Sequence, residues 1–245
     1  MLRGIFDPYE RKARLAPALL CTSPVAGALF GVHGLRPELS ATVLGLLSAF
    51  GVLYLMASVA RELGKRLEGD LFDSWGGKPT TILLRHRDRT IDPLTKERYH
   101  AFLSRHIGVP FPTPEQEQAD MAAADDRYAA GAKWLLEQTR DTRKFGLLFK
   151  ENMAYGFRRN CLGLKPYALL IATGSLAWIL VAVGVVSSAG VHSAVLLSAS
   201  TGAWIGFAAS LLATLAWLFF FTERTVRTAA FSYADFLLRS CDSLP

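Results

Sequence analysis

Tyr167–Val191 reads YALLIATGSLAWILVAVGVVSSAGV, and two residues later Ala194–Phe221 reads AVLLSASTGAWIGFAASLLATLAWLFFF; neither block holds a charge. A helix rises about 1.5 Å per residue, so about 20 such residues cross a hydrocarbon core about 30 Å thick. Two further uncharged blocks lie upstream, Leu15–Val32 and Leu39–Ala60. The first is short for a span and carries Pro17 and Pro24, whereas Ala194–Phe221 is longer than needed and must tilt or project. The chain thus reads as an all-α membrane protein. It has two transmembrane helical hairpins, residues 15–60 and 166–221, making four spans. Between them lies a mostly helical insert, 61–165, that includes one short strand.

The charges supply an orientation. Of 27 Lys and Arg, four precede the first block, nineteen lie in 61–165 and three follow the last block; only Arg36 falls in an outer loop. Cytoplasmic flanks of membrane spans are enriched in Lys and Arg, and short loops obey this bias most closely. The expectation is therefore a multi-pass protein of a cell inner membrane. The N-terminus (1–14), the insert and the C-terminal tail (222–245) are all placed on the cytoplasmic side. Topology accounts for the net charge of +6 and sets nucleic acid aside as a partner. Residues 1–28 also have the basic start and Ala26-Gly27-Ala28 of a signal peptide, but Asp7, Glu10 and the two prolines argue for a retained span. Cys21, Cys161 and Cys241 form no CxxC or metal-ligand spacing.

Inside the insert, Leu63, Leu67 and Leu71 repeat every four residues and extend the second span as a stalk to about Phe72. Trp75-Gly76-Gly77-Lys78-Pro79 breaks it. Thr80–Arg85, β-branched at its start, reads as the strand. Asp92-Pro93 starts a helix that runs to about Arg105, and Thr113-Pro114-Glu115 repeats the signal for a helix to about Thr139. A last helix carries Phe145, Leu148, Phe149, Asn152 and Phe157 and ends near Gly163, before Pro166 opens the third span.

The spans hold no Asp, Glu, Lys or Arg, which argues against proton pumps and ion-coupled transporters. The fourth span does carry a stripe of small residues at Ser198, Gly202, Gly206, Ser210 and Thr214, and the first a shorter one at Ser23, Gly27 and Gly31. Such stripes let helix backbones approach closely, within the bundle or between subunits; a pore-lining face is the third reading. In Arg85-His86-Arg87-Asp88-Arg89, an extended chain places Arg85, Arg87 and Arg89 on one face, where guanidiniums suit a phosphate or carboxylate. The bland alternative is a solvated or headgroup-facing edge. Arg158 and Arg159, beside the third span, are interfacial anchors or a second grip on an anion. No nucleophile elbow, zinc-protease, P-loop or kinase motif occurs, and neither cofactor nor metal is implied.

Two hairpins, a cytoplasmic insert, small size and the basic clusters at Arg85–Arg89 and Arg158–Arg159 together resemble the four-transmembrane effectors of bacterial anti-phage nucleotide-signalling systems. The resemblance implies an antiviral defence role, an anionic nucleotide ligand for the insert, and a homo-oligomer acting on the bilayer. A non-catalytic scaffold whose insert docks a cytoplasmic protein is the main rival. A membrane-associated enzyme ranks last, with His86, Asp88 and His100 as its best candidates.

Overall fold

The computed structural model describes residues 8–34, 39–188, 190–192 and 199–245, with backbone alone over 39–50. About four-fifths of the described residues are helical. The elements are α1 (Glu10–His33), α2 (Leu39–Trp75), α3 (Pro79–Leu84), α4 (Pro93–Ile107), α5 (Pro114–Ala119) and α6 (Met121–Gln138), followed by α7 (Gly146–Ala182), α8 (Thr201–Phe219) and α9 (Glu223–Arg239). A two-stranded hairpin, β1 (Val186–Ser187) and β2 (Gly190–Val191), follows α7. Among the described residues, three helices are long and apolar enough to cross a membrane: α1, α7 and α8.

The chain divides into two compact units, one comprising the residues up to Leu67 with Gly156–Thr225, the other Glu68–Tyr155 with Val226–Pro245. In the first unit, α1 packs on α8 at the small residues. A Cβ on Gly206 would sit 2.6 Å from the Gly27 carbonyl oxygen, and one on Gly31 2.7 Å from that of Gly202. Backbone atoms cannot yield to such contacts, so these positions tolerate glycine alone. The α2–α7 crossing is equally tight: a Cβ on Gly163 would lie 2.7 Å from the Gly64 nitrogen. Cys21, Ala60, Cys161, Leu164, Ala168, Trp217 and Phe221 fill the space between these contacts. The outer faces stay apolar and exposed, as at Leu170 (72%), Leu212 (66%) and Phe219 (75%), which is the surface a lipid solvent requires.

Prolines leave carbonyls to be satisfied in α1, which begins with a π-helical stretch, Glu10–Leu15. The α-helical partner of the Ala13 carbonyl would be the N–H of residue 17, and Pro17 has none. The Asn160 side-chain amide of α7 donates to that carbonyl instead, at 2.6 Å. Pro24 strips the Leu20 carbonyl in the same way, and the Ser23 hydroxyl reaches back to it at 3.1 Å. At the end of α8, Lys165 Nζ donates to the free carbonyls of Leu218 and Phe221, each at 3.0 Å.

The second unit encloses its own core of Leu83, Leu84, Tyr99, Leu103, Tyr128, Leu135, Leu237 and Leu238. Its helix starts follow the expected chemistry. The Asp92 carboxylate caps α4 by accepting the Thr95 N–H at 2.9 Å, and Thr113 with Gln116 forms a capping box on α5.

The structure corrects four expectations. Thr80–Arg85 is no strand: Pro79 opens the short helix α3, the Ile82 N–H bonds to the Lys78 carbonyl, and Thr81, Leu83 and Leu84 are all buried rather than alternating. The predicted helix over 113–139 is two, because Asp120 leaves the helical conformation and caps α6 by accepting the Ala123 N–H. The last helix of the insert and the third span do not part near Gly163; α7 continues through Pro166. That span then stops at Ala182 rather than Val191. Gly184, at φ +85°, turns the chain and the Val185 N–H bonds to the Leu180 carbonyl, a glycine-terminated helix end.

Candidate functional site

The residues of densest chemistry surround the turn 85–88 in the second unit. The turn follows α3 and faces α4, α5 and α6. Arg85, only 7% exposed, points inward: Nε and Nη2 bond to the two Asp125 oxygens at 2.8 and 2.5 Å, and Nη1 to the Gly76 carbonyl at 2.9 Å. Gly76 and Gly77 have φ of +84° and +138° and end α2; a Cβ on Gly77 would lie 2.9 Å from the Arg85 guanidinium. Lys96 (4% exposed) donates to the carbonyls of Arg85 and Asp88, both at 2.6 Å. One Glu117 oxygen accepts the His86 N–H at 2.8 Å and the Tyr128 hydroxyl at 2.7 Å. His86 Nε2 lies 2.9 Å from the Pro112 carbonyl and His100 Nε2 2.8 Å from that of Leu84. A carbonyl only accepts, so both rings carry their proton on Nε2. The two rings meet edge to face at 4.8 Å.

Burial sets the charge states here. Loss of water pushes the His100 imidazole down to about 4, outweighing its bond to the Leu84 carbonyl, so it is neutral at pH 7. The same cause lowers Lys96, partly offset by the fields of Asp88 and Glu117. Burial alone would raise Glu117, but the bonds from the Tyr128 hydroxyl and the His86 N–H outweigh it and hold the carboxyl below its usual range. Arg85 and Lys96 are thus balanced by Asp125 and Glu117. The ammonium, the guanidinium and both imidazoles are all spent on the chain's own carbonyls and carboxylates. The physical effect is to pin the turn 85–88.

This geometry separates the arginines that the sequence grouped. Because 85–88 is a turn and not a strand, Arg85 is buried while Arg87 and Arg89 are exposed; Arg87 Nη1 lies 3.1 Å from Met121 Sδ. Arg158 and Arg159 belong to the first unit. Arg158 is half-buried, and Arg159 (4% exposed) bonds to the Asn160 side-chain oxygen at 3.2 Å. Of the small residues, Gly27, Gly31, Gly202 and Gly206 meet within the chain. Ser23 is exposed, Ser210 is fully buried with no hydrogen-bond partner for its hydroxyl among the described residues, and Ser198 lies outside them. Asp88 closes its own turn by accepting from Thr90. No group of three metal-ligating side chains occurs among the described residues.

Lys96, Glu117, Asp125 and Tyr128 escaped the sequence reading. Lys96 and Asp125 had a signal: Lys96, Tyr99, His100 and Leu103 share one helical face, as do Ala124, Tyr128 and Leu135 beside Asp125. A charged residue on a core face implies a buried partner. No family model, curated protein or solved structure matches the chain.

Proposed function

We propose that this protein is a ligand-responsive effector of a bacterial inner membrane, a channel-like oligomer of the kind used in anti-phage defence. Four spans cross the bilayer, the fourth being the apolar part of α2, with both termini and the second unit in the cytoplasm. That unit binds an anionic ligand, and binding changes how the spans pack. The observation that carries the reading is the continuity of α2 and α7. Each is 37 residues long, about 55 Å of helix against a hydrocarbon core of about 30 Å. Each is apolar over one part and charged over the other, so each helix runs unbroken from residues of the second unit into residues of the first. Proton or ion coupling has no support from the apolar spans.

The test is dye release from liposomes carrying the purified protein, with and without a panel of cyclic and linear nucleotides. Release that depends on one nucleotide supports the reading. Sealed liposomes under every nucleotide, with the protein shown to be inserted and folded, refute it. They would favour a scaffold that docks a cytoplasmic protein through exposed apolar residues of the second unit, such as Leu94 (77% exposed) and Leu147 (63%).

A further inference from the structure

Where α7 begins, the second unit carries an open groove of about 490 Å³ between the start of that helix and the end of α9. Lys144, Lys150 and Arg239 stand along it, with Phe145, Leu147 and Phe236 as its apolar wall. Neither Lys144 nor Lys150 forms an ion pair among the described residues, and both are exposed. Two carboxylates lie close by and are engaged. Asp235 pairs with Arg239 at 2.7 Å, and Asp141 accepts the backbone N–H groups of Arg143 and Lys144. Lys144 and Lys150 are therefore cations that no carboxylate neutralises, whereas Arg239 is already held by Asp235, as Arg85 is by Asp125.

We infer that this groove binds a phosphorylated small molecule. It rests on the reading of the second unit as the ligand-sensing part. Two unpaired lysines lining one groove suit an anion of at least two charges. Each lysine serves as a point charge toward phosphate oxygens. The apolar wall beside them fits a planar or apolar body on the same molecule. The volume lies in the range of small-molecule sites, about 300–1,000 Å³. A bare inorganic anion leaves the apolar wall unused, and an acidic peptide needs a longer basic track than three residues provide.

The experiment is equilibrium binding of a fluorescent ATP analogue, with pyrophosphate as competitor, to the full-length protein in nanodiscs. Saturable binding is expected, weakened more than about tenfold by Lys144→Glu with Lys150→Glu and unchanged by Lys133→Glu. Lys133 is an exposed cation on α6 outside the groove. Three results overturn the site: no saturable binding of either probe at millimolar concentration, binding equal in the double variant and the wild type, or capture of poly-glutamate without ATP. Dye release run in parallel separates the two proposals. Nucleotide-triggered release that survives the double substitution sinks this groove and spares the effector reading. Groove-dependent binding without release keeps the groove and sinks the effector.

Discussion

The Asp125→Ala substitution tests whether Arg85 is a structural tie rather than a ligand-binding arginine. The Asp125 carboxylate accepts two of the three hydrogen bonds that hold the Arg85 guanidinium, whose side chain is 8% exposed. Removing one partner of a buried pair costs about 3–5 kcal/mol, because the other charge is left buried without compensation. Asp125 is itself 32% exposed, so water enters the vacated space. Arg85 also keeps the Gly76 carbonyl. Both features move the expected cost to about 3 kcal/mol, at the lower end of the range. At 1.36 kcal/mol per tenfold, that is a rise of about 150-fold in the open population. Hydrogen exchange of the full-length protein in nanodiscs, followed by mass spectrometry over residues 79–139, reads this directly. The paired change Arg85→Met with Asp125→Leu should recover more than half of the loss. Arg87→Met, at an exposed position, should shift exchange less than about twofold. If Asp125→Ala shifts exchange no more than that control, and Arg85→Met abolishes nucleotide binding while leaving exchange unchanged, the reasoning is refuted.

Acid should loosen the second unit. His100 titrates at about 4 in the fold and at 6.5 when free, so the unfolded chain binds more protons across that window. Stability then falls as pH drops from about 6.5 to 4, by roughly 3 kcal/mol, with Glu117 adding a loss in the same direction at lower pH; flat exchange rates through the window would contradict this. Gly206→Leu should destabilise the first unit by about 1–3 kcal/mol or more, since its Cβ meets backbone, whereas Gly174→Leu, with open space around it, should not; thermal melts in detergent compare the two. Asn160→Leu leaves the Ala13 carbonyl without its side-chain donor and should cost about 1–3 kcal/mol in the same assay. Equal melting of that variant and the wild type would mean that water takes the place of the amide.

What the sequence disclosed was local. Asp92-Pro93 and Thr113-Pro114 announce helix starts because a cap and its target lie three residues apart. The uncharged blocks announce apolar helices because length and composition suffice. What stayed hidden depends on distance along the chain. Arg85 and Asp125 are 40 residues apart, and nothing near Arg85 tells a buried guanidinium from a solvated one. Thr80–Leu84 has β-branched residues at its start, yet Pro79 and the burial of Thr81, Leu83 and Leu84 decide in favour of helix. Residues 222–245 read as a tail. Val226, Ala230, Ala234, Leu237 and Leu238 nonetheless form the buried face of α9, and Leu237 and Leu238 join the core built by the insert.

The Asn160 amide and the glycine face of α8 also fix an order of assembly. The amide that completes the Ala13 carbonyl is made 147 residues later. At about 5–20 residues per second, the ribosome needs roughly 7–30 s to reach it. The small-residue face that receives α1 comes later still, on α8. The first helix therefore enters the bilayer with its permanent partners unwritten, and its backbone must lean on water, headgroups or the insertion machinery in the meantime. A chain interrupted before α8 would strand α1 in the membrane with its glycine face bare.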